Sequence, residues 1–426
     1  MDKKRPIYTV LVGAVASGKS TYAKQCADEC NVKVFSLNEY RKNMYGSEAD
    51  QSHNDKVFAA LYKDLRAALE AGEDCILDAT NCTIKSRLKA LEAVKGVDCV
   101  KIASILTADA EQCLKRNSKR ERKLPDDVVY KYIRSFEMPL PWEGWDRIYI
   151  QGYDTDFSPK HNQKMEDMAL KQMEGYVQRT PHHQYTLRKH AQEVANQFPD
   201  NRVLHSAALF HDIGKALAPW DWTEKPEEGV RHYYHHANIS AHIMLQNLEC
   251  FDCKSWEETY ETMFLICYHM VARGWRADVA LYDKWEARVG EKWMDDMMKF
   301  IRADEIGSGN GDYAYHAEIR AKIKAGYYID HQDELIPEDY VEPKKKETVT
   351  EEGATEPSQD AELVQKIPNA PPIGGMGMNP MAAMLGGMVG GFGGMGGMMP
   401  PMPSQPVVEE SKEESADGSN NDNGAV

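Results

Sequence analysis

The sequence of 426 residues predicts an α/β domain, a parallel sheet with helices on both faces, followed by an all-α domain and a disordered tail. Three observations carry this. Over residues 1–155, short β-rich apolar runs alternate with amphipathic helical stretches, the pattern of a covered parallel sheet. Over 160–335 helical periodicity takes over, and thirteen of the fourteen histidines lie between 161 and 331. Over 340–426 the chain turns acidic and then Gly/Met/Pro-rich, a composition that opposes both helix and sheet.

In the first region IYTVLVGA, CILDAT and VKIASIL read as strands. NDKVFAALYKDLRAALEAG and IKSRLKALEAV place apolar residues at i, i+3 and i+4 and stop at glycine, so they read as helices. In the second region QYTLRKHAQEVANQF, NRVLHSAALFHDIG, ANISAHIMLQNL, WEETYETMFLICYHMV and EKWMDDMMKFIRADEIG predict helices, with almost no strand signal. The tail reads either as plain solvated chain or as a Met-rich patch for a protein partner.

The net charge of −16 argues against a general nucleic-acid coat but permits an enzyme with a local basic channel. The nine cysteines are irregularly spaced, and Cys250-x-x-Cys253 has no second Cys or His pair at zinc-finger spacing, so ordinary thiols are expected. No apolar leader and no apolar run of about 18 residues is present. The expected compartment is the cytoplasm of a bacterial or phage-infected cell, with no membrane partner.

Gly13-Ala14-Val15-Ala16-Ser17-Gly18-Lys19-Ser20 fits G-x-x-x-x-G-K-[ST], between a strand and a helix. Gly13, Ser17, Gly18, Lys19, Ser20 and Thr21 are the candidate nucleotide-binding residues. Lys19 would bridge β- and γ-phosphates and Ser20 would ligate Mg²⁺. Asp78 ends the CILD strand near the expected phosphates. Arg116, Lys119, Arg120, Arg122 and Lys123 form a basic stretch; one helix running through it would put Arg116 and Arg120 on one face, able to clamp a transferring phosphoryl group.

The order GAVASGKST, EYR, DATN, KRNSKR and LP resembles the kinase domain of bacteriophage-type polynucleotide 5'-kinases over about residues 7–150. The resemblance implies ATP-dependent phosphorylation of a 5'-hydroxyl, lid arginines at Arg116 and Arg120, and an acceptor-phosphate arginine at Arg41. The family's general-base aspartate, three residues before that arginine, is Asn38 here. An amide takes no proton. Either Glu39 or Asp78 substitutes, or transfer is slow, or this domain only binds and hydrolyses nucleotide.

In the helical region, His190, the pair His211-Asp212 and the distant Asp304 offer imidazole and carboxylate ligands together, a donor set suited to borderline and hard divalent metals. The pattern TLRKHAQEVA, AALFHDIGK, HHANISAH, CYHM and RADEIG resembles the HD phosphohydrolase superfamily over about 180–315, particularly the HD domains of bacterial tRNA nucleotidyltransferases. It implies His190, His211, Asp212 and Asp304 as ligands to Mn, Ni, Co or Fe, with Asp212 catalytic. His236 and His269 fall where such domains carry extra histidines, for a second metal or substrate phosphate, and Lys215 is placed to contact phosphate. His182 and His183 are expected to pack or face solvent.

The resulting expectation is an end-healing enzyme acting on RNA or DNA: a 5'-kinase using ATP and Mg²⁺, joined to a hydrolase removing 2',3'-cyclic or 3'-phosphate, with a ligase acting downstream. The alternatives are a free-nucleotide hydrolase with an NTP-binding P-loop domain, and a non-catalytic NTP-binding assembly protein.

Overall fold

The structure is a computed structural model describing residues 5–154, 156, 158–309 and 313–341. Apart from 340 and 341, the expected tail lies outside the described residues. Among the described residues no helix is long and apolar enough to cross a membrane.

The first half is a five-stranded, all-parallel sheet. It runs β1 (Ile7–Val12), α1 (Lys19–Cys30), β2 (Lys33–Ser36), α2 (Leu37–Tyr45), α3 (Asn54–Glu70), β3 (Cys75–Asp78), α4 (Ile84–Glu92), β4 (Val100–Ile105), α5 (Ala110–Ser118), α6 (Asp126–Arg134) and β5 (Arg147–Ile150). The strand order is β2-β3-β1-β4-β5. Every residue of β1 is buried, as a central strand covered on both faces requires. On α3, Val57, Leu61, Leu65 and Leu69 recur every fourth residue and form its buried face. β2 and β5 escape the sequence reading because they are sheet-edge strands of four residues with polar outer ends.

The second half is helical: α7 (Gln163–Lys171), α8 (Leu187–Ala195), α9 (Arg202–Phe210) and α10 (Ile213–Leu217), then, past a short hairpin, α11 (His236–Met244), α12 (Trp256–Ala272), α13 (Val279–Val289), α14 (Glu291–Gly307), α15 (Tyr313–Lys324) and α16 (Tyr327–Asp330). The hairpin pairs β6 (Thr223–Lys225) with β7 (Val230–His232), antiparallel. These three-residue strands are mostly polar and surface-facing, so they leave no apolar alternation to read.

The halves pack on one another. Arg134 Nε donates to Asp221 Oδ1 at 2.8 Å, Asn238 Nδ2 donates to the Phe136 carbonyl at 2.7 Å, and Trp142 meets Trp285 edge to face at 5.9 Å. A polar lock sits beneath this seam. Arg87 is fully buried and binds Glu143 through two bonds of 2.7 Å, while the Trp145 indole donates to the same carboxylate. Arg87→Met would strand a buried carboxylate, which typically costs about 3–5 kcal/mol. Urea unfolding should register a loss of that order; a loss below about 1 kcal/mol, the scale of an exposed pair, would contradict the lock.

Candidate functional sites

The glycine loop leaves β1 at Gly13, whose φ of +155° and close approach to the Leu106 carbonyl exclude a side chain: a Cβ would lie 2.9 Å from that oxygen. Gly18, at φ +108°, caps the N-terminus of α1. Lys19 is buried and its ammonium folds over the loop, donating to the carbonyls of Gly13 (3.0 Å) and Ala14 (2.7 Å). Burial pushes its pKa down, opposed by Cys82 and Asp78. Ser20 Oγ donates to Asp78 Oδ2 at 2.7 Å. That hydroxyl and carboxylate, brought together by the β1–β3 pairing, suit Mg²⁺ beside bound phosphates. Thr21 is exposed in the same first turn.

Arg116 reaches the loop from α5, its Nη1 donating to the Ser17 carbonyl at 2.9 Å. The shared helix face expected for Arg116 and Arg120 needs correction. Helix α5 ends at Ser118, because Asn117 is buried and exchanges hydrogen bonds with the backbone of Leu124, folding the chain back. Arg120 therefore lies in the following turn. Its charge still acts on Lys19.

Arg41 on α2 donates through Nη1 to Asn38 Oδ1 at 3.1 Å and through Nε to Asn54 Oδ1 at 3.0 Å. Glu39 is exposed on the adjacent step of the helix. Asp78 is already engaged with Ser20.

The helical half gathers six buried side chains: His190, His211, Asp212, His236, His269 and Asp304. His211 and Asp212 stand at the junction where α9 ends and α10 begins. His190 comes from α8, His236 from the first position of α11, His269 from α12 and Asp304 from α14. Two glycines allow this convergence. A Cβ on Gly214 would lie 2.7 Å from the His236 carbonyl, and one on Gly307 would lie 2.4 Å from Val194 Cγ2.

Each of the four imidazoles points Nδ1 at a backbone carbonyl: His190 at Gly307 (3.0 Å), His211 at Ala208 (2.8 Å), His236 at Tyr233 (2.6 Å) and His269 at Ile266 (2.8 Å). A carbonyl only accepts, so Nδ1 holds the proton and Nε2 of the neutral ring is a lone pair. Yet the Nε2 atoms of His190 and His211 are 3.2 Å apart, and those of His236 and His269 are 3.1 Å apart. Facing lone pairs repel unless a metal ion or a proton sits between them.

Asp212 lies between the two pairs. Its Oδ2 is 3.4 Å from His190 Nε2 and 3.3 Å from His211 Nε2; its Oδ1 is 3.0 Å from His236 Nε2. Oδ1 is shut off from solvent and accepts no hydrogen bond among the described residues. Asp304 Oδ1 is 3.2 Å from His190 Nε2 and 3.6 Å from His211 Nε2. The donors therefore form overlapping groups: Asp212 closes one with His190 and His211, beside Asp304, and another with His236 and His269, while His211, His269 and Asp304 also lie close enough to share an ion. Nitrogen and carboxylate donors in this number fit divalent transition metals.

The charges agree. Burial opposes a proton on His211, yet Asp212 and Asp304 outweigh it and draw the imidazole up to about 10. Burial and the neighbouring imidazoles push His269 well below the ordinary range. Both aspartates lie well below the usual carboxylate range despite burial, Asp212 through His211 and Lys215 and Asp304 through Arg273 and His190. A field that draws a proton to His211 draws a metal cation to the same place.

Lys215 donates to Asp212 Oδ2 at 2.7 Å and to Gln178 Oε1 at 2.9 Å, and Arg273 Nη2 donates to Asp304 Oδ2 at 2.6 Å. Arg273 and Gln178 were not read from the sequence, since neither belongs to a motif and both depend on folding to reach the cluster. His183, expected to pack or face solvent, stands 3.4 Å from Lys215 Nζ, its ring against that of His190. Cys250 and Cys253 are buried thiols outside any metal-competent group among the described residues.

Residues 9–139 match the family described as AAA domain. No curated protein matches the chain. Among solved structures, one titled as the Pnkp1/Rnl/Hen1 RNA repair complex overlaps 30% of this chain at 20% identity and a TM-score of 0.29. The overlap spans 43% of that chain, less than half its length. A putative kinase from Chloroflexus aurantiacus overlaps 34% of this chain and 87% of its own, at 17% identity and a TM-score of 0.29. A gluconokinase from Sinorhizobium meliloti overlaps 34% and 82%, at 17% identity and a TM-score of 0.26.

Gly214→Ala isolates the role of close packing. Alanine favours a helix by about 1 kcal/mol over glycine, so a disturbed cluster would come from the clash with α11. The expected outcome is a folded protein whose affinity for added Mn²⁺ falls about tenfold or more, the scale of a disturbed ligand shell, checked by circular dichroism and calorimetry. Unchanged affinity would contradict it.

Proposed function

We propose that this chain heals broken nucleic-acid ends, RNA above all, through two separate sites. The P-loop domain transfers a phosphoryl group from ATP, with Mg²⁺, to a 5'-hydroxyl. The helical domain acts as an HD-type phosphohydrolase that removes a 2',3'-cyclic or 3'-phosphate. The observation carrying the proposal is that one chain builds two unlike sites, the Lys19/Ser20/Asp78/Arg116 loop and the four-histidine, two-aspartate cluster.

At the P-loop, Lys19 and Arg116 would supply positive charge where negative charge builds up on the transferring group. Arg41, with Arg120 and the basic turn behind it, is suited to hold the phosphate of the acceptor strand. In the cluster, divalent cations held by His190, His211, Asp212 and Asp304, and by Asp212, His236 and His269, would supply Lewis-acid activation and charge neutralisation. Lys215 and Arg273 fix the two aspartates in place, and Lys215 would turn part of its charge to substrate phosphate.

The second reading, a free-nucleotide hydrolase with a weak or silent kinase domain, is favoured by Asn38, an amide that accepts from Arg41 and takes no proton, while the neighbouring Glu39 is exposed. One RNA oligonucleotide bearing a 5'-hydroxyl and a 2',3'-cyclic phosphate, given labelled ATP with Mn²⁺, Ni²⁺ or Co²⁺, separates them. Label at the 5' end and loss of the cyclic phosphate support end healing. Untouched ends with consumption of free nucleotides transfer the assignment to the second reading.

A further inference from the structure

Between the two halves lies a cavity of about 430 Å³ that neither proposed reaction uses. Asp109, Glu111 and Tyr130 line it from the P-loop side, and Trp220, His242 and Asn247 from the helical side, with aliphatic side chains between. The volume suits a small organic molecule, and interdomain clefts are frequent sites for one.

The polar groups indicate its chemistry. His242 is buried, with its ring edge-on to Phe136 at 5.4 Å, and makes no hydrogen bond among the described residues. Burial pushes its pKa down to about 4, so at neutral pH one ring nitrogen donates and the other accepts. An unpaired ring nitrogen facing a cavity is free to take a ligand or water, and the amides of Gln172 and Gln246 also line the space. Asp109 and Glu111 add acceptors, and among the described residues no lysine or arginine lines the cavity, the nearby Arg134 being held by Asp127 and Asp221, so a phosphate would meet repulsion. Trp220, stacked on Tyr130 at 4.3 Å, supplies an aromatic wall.

We propose that this cavity binds an uncharged planar nitrogen heterocycle with N–H donors, of the nucleobase or nucleoside class and lacking phosphate. His242, with the amides of Gln172 and Gln246 beside it, would read its polar edge, and the carboxylates would reject its phosphorylated forms. The site is distinct from the nucleotide loop and from the His/Asp cluster, and its assignment rests on neither reaction.

The test uses the full chain with a non-hydrolysable ATP analogue saturating the P-loop. Adenosine, guanosine, cytidine and uridine are titrated by calorimetry, each beside its 5'-monophosphate, with histidine imidazole signals followed by NMR. At least one nucleoside is expected to bind with Kd below about 1 mM, and its monophosphate about tenfold or more weaker. Binding should shift one imidazole signal that is missing in His242→Gln, and that variant should lose about tenfold in affinity or more while keeping its other imidazole signals. Glu111→Gln should narrow the gap between nucleoside and monophosphate. The proposal is overturned if no nucleoside binds, if His242→Gln binds equally well, or if monophosphates bind as tightly as nucleosides. Should His242→Gln fail to fold, the imidazole shift in the unmodified chain and the Glu111→Gln comparison still decide the matter.

Discussion

Asp212→Ala should strip divalent metal from the helical domain and abolish phosphate release from the 3' end, leaving 5' labelling unchanged. Among the described residues Asp212 is the one carboxylate whose two oxygens face both histidine pairs, so its loss removes a donor from both. Disturbing the groups behind metal ligands typically costs about 10- to 100-fold in affinity, and removing a shared ligand should exceed about 100-fold. Alanine would also leave the buried Lys215 without its carboxylate. Asp212→Asn controls for that: it keeps the shape and one hydrogen-bonding oxygen, and should lose metal to a similar extent with less effect on the fold. Metal analysis of purified protein, with both end-labelling assays, checks the outcome. Retention of metal by Asp212→Asn together with full 3' processing would rule out a bridging role.

Lys19→Ala should abolish ATP-dependent labelling of a 5'-hydroxyl while 3' processing continues at its normal rate. The ammonium is buried among loop carbonyls and is the most deeply placed cation at the loop. Removing one preorganised donor from a charge-stabilising site costs about 10²- to 10³-fold, and phosphoryl transfer depends almost wholly on such stabilisation. Single-turnover transfer with saturating ATP separates a chemical defect from weakened binding. Equal loss at the 3' end would mean that the two halves act as one site.

The residues that carry local rules were legible in the sequence. The glycine loop needs backbone freedom at Gly13 and a helix starting at Lys19, and both conditions are written in neighbouring residues. The six His and Asp candidates were legible as types and motifs, and the structure brings all six together. What escaped depends on tertiary contact. The end of α5 turns on the Asn117–Leu124 exchange, which overrides the helical spacing of Arg116 and Arg120. Arg273 and Gln178 reach the cluster only because α12 and the chain before α8 pack around it. The seam between the halves, with Arg134, Trp220 and His242, joins positions more than 80 residues apart and leaves no periodic trace.

Anomalous diffraction from crystals of the full chain grown with Mn²⁺ tests the central claim most directly. The account predicts two peaks flanking the Asp212 carboxylate, one against His190, His211 and Asp304 and the other against His236 and His269. Crystals that bind Mn²⁺ elsewhere while these histidines stay metal-free would contradict it.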